Sequence, residues 1–347
     1  MGILVLLIGQ VCFANSEHYF ENELEWPTHL SESKYKIGPI LHQYQKFPTS
    51  SHYFHDGVDF LGSPFQKVFT PITGTIDAGY YSYLDNPDGS AEKTYLSLRD
   101  IPKEDKEPKL WGKNYFEISI TDEFGNRFEF HHIDRDSLPL NILESVYNNS
   151  IVFQDMQIGN IIPWPNKVLG ADYSHIHYNI ISKHGERLNP FWFSKKIPDT
   201  TPPKTSTVYF QLEEPCPETG RVNHYSTSKL FEEDKPTHIV LKTTDLITGN
   251  HFPHPPTKIH TTFSNGETHL LDFTYSMLTS GLSHDIRDVY VDMLCIGPKE
   301  APFILKASKS FNFYMKIPLP ENFSGSASIS VFDYAKNETN ILVNVKN

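Results

Sequence analysis

His55 and Asp59 stand four apart in FHDGVDFLG, and His175 and His177 stand two apart in SHIHYNI. Two histidines and one carboxylate, with a further histidine beside them, are what a catalytic zinc centre uses. Zinc takes nitrogen and oxygen ligands at about 2.0–2.2 Å and, in hydrolases, keeps one position open for water. Successive side chains of a strand alternate, so His175 and His177 share a face. On a straight strand His55 and Asp59 would be roughly 13 Å apart, too far for one ion. The chain therefore bends between them, and Gly57 is the midpoint at which a bend is cheapest. Gly57 and Val58 argue against a helix in so short a run.

The elements that must position these groups are mostly strands. KVFTPITGTIDAGYYS (67–82) reads as strand, turn and strand around Gly74, and YFEISITDEFGNRFEFHHID (115–134) as a hairpin with its tip at Phe124, Gly125 and Asn126. Residues 140–149 are the one modest helix candidate, and the polar stretch 83–112 reads as a long inserted surface loop. Residues 15–50 show no period and read as an irregular N-terminal arm. From Asp199 the texture changes, opening with the linker-like DTTPPKTS. Short strand-like runs then follow one another to the C-terminus with no helical period, which points to an antiparallel sandwich. The chain divides as 15–50, 51–198 and 199–347, after a leader at 1–14.

Length and composition agree. The chain has 347 residues, longer than most single domains and most simply read as two. Its 30 Lys and Arg against 42 Asp and Glu give a net charge of -12, which disfavours nucleic acid because phosphate binding needs a basic footprint. The opening MGILVLLIGQVCFANS reads as a signal peptide cleaved near Ala14, with a lipid anchor through Cys12 as the alternative. Neither that run nor any later one is long enough to span a bilayer. The chain is thus expected to be exported, periplasmic or secreted, without a transmembrane segment. Cys216 and Cys295 form one disulfide or remain two buried thiols; the sequence supports both.

HDGVD, PITGTI, FEFHHI, GADYSHIHYNI and LNPFWF follow one another between residues 55 and 193. This ordered set resembles the lysostaphin/LytM-type zinc metallopeptidases, peptidase family M23. The resemblance implies a mainly β fold: an antiparallel β-sheet peptidase domain (LytM/lysostaphin-like) at 51–198, with its site in a groove on the sheet. It implies one Zn2+ per chain held by His55, Asp59 and His177, and catalytic roles for His132 and His175. It implies hydrolysis of peptide bonds in peptidoglycan. The region 199–347 resembles the immunoglobulin-like β-sandwich modules joined to secreted bacterial enzymes.

The chain departs from the family pattern in places. Phe130 replaces the usual Tyr, Ile133 replaces Leu, and Asn179 stands where a Glu is frequent, which removes a supporting carboxylate. No metal ligand is lost. One of His132 and His175 moves the proton and the other steadies the oxyanion, in an order the residues leave open. Alternation puts His131 and His132 on opposite faces, so only one is expected to face the metal. His251, His254 and His260 sit in a Pro-rich setting and read as a solvated loop. Two further readings belong to other classes: a non-catalytic regulator that binds the cell wall or another wall hydrolase, and a surface protein whose C-terminal sandwich does the main work.

Overall fold

The computed structural model describes residues 23–28, 36–46, 52–85, 91–101, 115–168, 171–226, 235–277, 286–306 and 312–345. The leader at 1–14 lies outside the described residues, as does much of the 15–50 arm. The protein is mainly β, built on antiparallel sheets. Among the described residues no helix is long and apolar enough to cross a membrane.

Among the described residues, strands drawn from between Lys36 and Leu188 build a nine-stranded sheet. Its middle runs through Val58–Leu61, His175–Ile181, Arg127–His131, Phe116–Thr121 and Gly74–Asp85, each antiparallel to the next. The sequence of these strands explains both faces. Val58 and Phe60, Ile176, Tyr178 and Ile180, Phe128 and Phe130, Phe116, Ile118 and Ile120, and Ile76, Ala78 and Tyr80 all join one hydrophobic core. The residues between them point the other way. They are Asp59, His175, His177 and Asn179, Glu129 and His131, Glu117 and Ser119. Burying a side chain such as Phe128 or Phe130 contributes about 2 kcal/mol, so this alternation fixes the register firmly. The polar face gathers the chemistry.

The helix expected at 140–149 runs Leu140–Tyr147 and packs Ile142 and Val146 into the same core. Two expectations are corrected nearby. The described parts of the N-terminal arm are not wholly irregular: Lys36–Ile37 pairs with Val58–Leu61, and Tyr44–Lys46 pairs with His52–Phe54. The stretch 83–112 is not all loop, since Ala91–Ser97 pairs back on Gly74–Asp85. Residues 102–114 lie outside the described ones.

Among the described residues, strands drawn from between Lys204 and Val345 form a six-stranded and a four-stranded sheet that share a second core, with Ile239, Leu241, Met315 and Ile317 from one and Ile259, Ile329, Val331 and Val343 from the other. The pairing is not wholly antiparallel: Asn223–Ser226 runs parallel to Met293–Ile296. Cys216 and Cys295 are joined by a disulfide spanning 79 residues of sequence. His254 is buried rather than solvated, whereas His251 and His260 are exposed.

Candidate metal centre

Three strands and the segments flanking them deliver the expected residues to one cavity of about 320 Å³. Asp59 lies directly opposite His177 across one strand pair, and His131 lies opposite His177 across the next. His55 falls in the break between His52–Phe54 and Val58–Leu61, where its backbone is held to Gln43 and His42. The bend required between His55 and Asp59 is therefore present.

Ligand atoms of His55, Asp59 and His177 lie within 4.8 Å of one another, and all three residues are buried. His55 Nε2 is 3.1 Å and His177 Nδ1 is 2.8 Å from the same oxygen, Asp59 Oδ1. Ligand atoms around a tetrahedral metal ion of zinc's size stand about 3.4 Å apart, close to both of these separations. The hydrogen positions sharpen the fit. His55 Nδ1–H donates to the Ile40 carbonyl at 3.1 Å, which turns the Nε2 lone pair toward the carboxylate. Two acceptors then face each other, an arrangement that a cation or an added proton must relieve. These residues can hold a metal ion.

Asp56, inside the HDGVD motif, is a participant that sequence reasoning missed. His177 Nε2 lies 3.1 Å from Asp56 Oδ1, and Arg187 pairs with Asp56 Oδ2 at 3.3 Å. Burial pushes the His177 pKa down, but contacts with Asp56 and Asp59 outweigh it and raise the pKa to about 9. Burial opposes ionisation of Asp59 too, yet His175, His55 and His177 hold its carboxyl well below the usual range. Tyr173 donates its hydroxyl to Asp59 Oδ2 at 2.7 Å. It stands two residues before His175 in GADYSHIHY, so its place beside the site was within reach of the sequence.

His132 and His175 stand side by side with ring centroids 4.6 Å apart, both close to Trp164. His175 Nδ1–H donates to the Tyr173 carbonyl at 2.7 Å, leaving its Nε2 lone pair toward the cavity, 3.6 Å from Asp59 Oδ2. His131 and His132 do not face opposite ways as strand alternation predicts; both line the cavity. The strand ends at His131, and His132 turns to a φ of 65°. The amides of His132 and Ile133 both donate to the Phe116 carbonyl, so two residues oppose one. This bulge redirects the second imidazole.

His131 has a different environment from His132. Its Nε2 lies 3.2 Å from Glu129 Oε2, and burial first, then Lys93, lowers its pKa to about 3. Glu117, Glu129 and His131 form a second compact group. There Lys93 Nζ already supplies the cation, at 2.6 Å from Glu117 and 3.4 Å from Glu129. Arg127 and Arg187 complete the neutralisation of Glu129. Asn179, at the position where a supporting carboxylate is frequent, instead donates Nδ2 to Glu129 Oε2 at 3.2 Å, its register partner.

No family model matches the chain, and no curated protein matches it. Among solved structures, one titled "Structure of the SpoIIQ-SpoIIIAH pore forming complex" is similar over 51% of this chain and 94% of that chain. The identity is 14% and the TM-score 0.31.

Proposed function

We propose that the chain is an exported zinc metalloendopeptidase that hydrolyses peptide bonds of peptidoglycan, with residues 51–198 as the peptidase domain. The observation that carries this reading is the placement of the His132–His175 pair beside the His55, Asp59 and His177 set in one cavity. The wall-peptide substrate and the choice of zinc come from the ordered motifs that resemble the M23 peptidases. The disulfide supports an oxidising compartment.

His55, Asp59 and His177 would hold the zinc ion, which supplies Lewis acidity and lowers the pKa of a water to about 7. His175, with its Nδ1 proton fixed on the Tyr173 carbonyl, presents Nε2 as the base that takes the proton of the attacking water and returns it to the leaving amine. His132, beside it, donates to the oxygen on which negative charge develops. Tyr173 orients Asp59, and Asp56 orients His177. The aromatic walls Tyr115 and Trp164 give an extended substrate a surface to lie against.

The test is zinc content together with mass spectrometry of muropeptides after digestion. We expect about one zinc per chain, new amino groups from cleaved wall peptides, loss of both in His177→Ala, and loss of cleavage with zinc retained in His175→Ala. Zinc and cleavage both intact in His177→Ala would overturn the site. Zinc bound with no cleavage of any wall preparation would point to the wall-binding regulator instead.

A further inference from the structure

Far along the chain from the histidine site, three aspartates converge where the segment after the short helix Pro190–Phe193 meets both C-terminal sheets. Asp199 lies in that connecting segment, Asp245 just past strand Pro236–Thr244, and Asp333 just past strand Gly325–Phe332. One carboxylate oxygen from each lies within 4.8 Å of the others. Asp245 and Asp333 are each only 3% exposed.

The donors that reach these carboxylates are neutral. Asp199 Oδ1 accepts from the Thr248 amide and hydroxyl at 2.9 and 2.8 Å and from the Thr201 amide at 3.0 Å. Asp333 accepts from the Asn337 amide and side chain at 2.9 and 2.8 Å. Asn337 Nδ2 also donates to the Asp199 carbonyl at 3.2 Å, which braces the connecting segment. Among the described residues no lysine, arginine or histidine forms an ion pair with any of the three. Two oxygens, Asp199 Oδ2 and Asp245 Oδ1, are buried with no hydrogen-bond partner.

Buried carboxylates without a counter-charge are costly, and an unpartnered oxygen on a side chain as buried as Asp245 calls for an explanation. We propose that Asp199, Asp245 and Asp333 form a calcium site that ties the connecting segment to both C-terminal sheets. The donor chemistry selects the ion. All three ligands are hard oxygens, with no imidazole or thiolate of the kind zinc favours. Calcium accepts six to eight oxygens in irregular geometry, whereas magnesium demands a near-ideal octahedron and keeps its waters. Without the ion the cluster holds on to protons: burial first, then the neighbouring aspartates, raise Asp245 to about 8 and Asp333, with Asp199 beside it, to about 6. The ion would replace those protons.

The experiment is calorimetric titration of the full zinc-loaded chain with calcium chloride, with thermal unfolding alongside. One calcium per chain and a higher unfolding temperature in calcium are expected. Asp245→Asn and, as a partly exposed alternative that spares the interior, Asp199→Asn should each weaken calcium binding at least tenfold while leaving zinc content unchanged. No calcium binding by the parent chain, or undiminished binding in Asp199→Asn, would overturn the site. So would an Asp245→Asn chain more stable than the parent in saturating calcium, since the aspartates would then merely share protons.

Discussion

Gly57 and Asn179 are packed so closely that a Cβ on Gly57 would overlap Asn179 Oδ1 and lie 2.5 Å from the carbonyl oxygen of Tyr178. The glycine of HDGVD is thus required by close approach rather than by an unusual φ. It lets the segment carrying His55 and Asp59 lie against the strand carrying His177. Gly57→Ala should force the two apart, costing about 1–3 kcal/mol in stability as overpacking does. It should also release zinc at concentrations at which the parent chain holds it. Thermal unfolding and metal analysis of the same preparation would show both effects; an alanine variant with full metal content would contradict this account.

Asp56→Asn separates holding His177 from merely surrounding it. The three candidate ligands stay in place, but the carboxylate shared by His177 and Arg187 loses its charge. Groups that orient a ligand in this way are worth about 10–100-fold in metal affinity. Competition titration with a chelator should find zinc bound about tenfold or more weakly. Unchanged affinity would leave Asp56 without the positioning role.

Glu129 is the shared acceptor of Arg127, Arg187, His131 and Asn179 and stands near Lys93. Glu129→Gln removes the negative charge that Arg127, Arg187 and Lys93 share. Removing one partner of a fully buried pair costs about 3–5 kcal/mol. Arg127 remains half exposed, so we expect about 2–3 kcal/mol in urea unfolding. A neutral outcome would mean that Glu117 alone suffices for the cluster.

The aspartate cluster predicts the sign of a pH effect in the metal-free chain. Asp245 faces Asp333 and Asp199, and Tyr334, whose pKa is raised by burial first and then by these carboxylates, stands nearby. The folded pKa of Asp245, about 8, lies above the unfolded value of about 3.9. The folded state therefore holds more protons between those values. Stability is full below about pH 4 for this group and falls as pH rises toward 8. Denaturant midpoints measured across that range with chelator present should decline, and calcium should flatten the decline.

Much of this was legible in the sequence because strand alternation and short-range spacing carry it. HIHYNII separates itself into an apolar face at Ile176, Tyr178 and Ile180 and a polar face at His175, His177 and Asn179, and the structure follows that division. What escaped depends on contacts between distant segments or on a local break in the pattern. Asp56 meets Arg187 only once the sheet has formed. His132 joins the cavity beside His131 because a bulge cancels the alternation. The two-residue strand Lys36–Ile37 is too short to show any period, and Asp199, Asp245 and Asp333 stand far apart in three unrelated stretches.

The Cys216–Cys295 bond encloses the stretch that holds the strands Pro236–Thr244, Lys258–Phe263 and Thr268–Asp272. A protease that cut the backbone anywhere inside that stretch would release no fragment. Both halves would still migrate as one species on a gel until a reductant was added. For a chain proposed to work among other hydrolases outside the cell, a nick there would leave the strands before and after it still joined by a covalent bond.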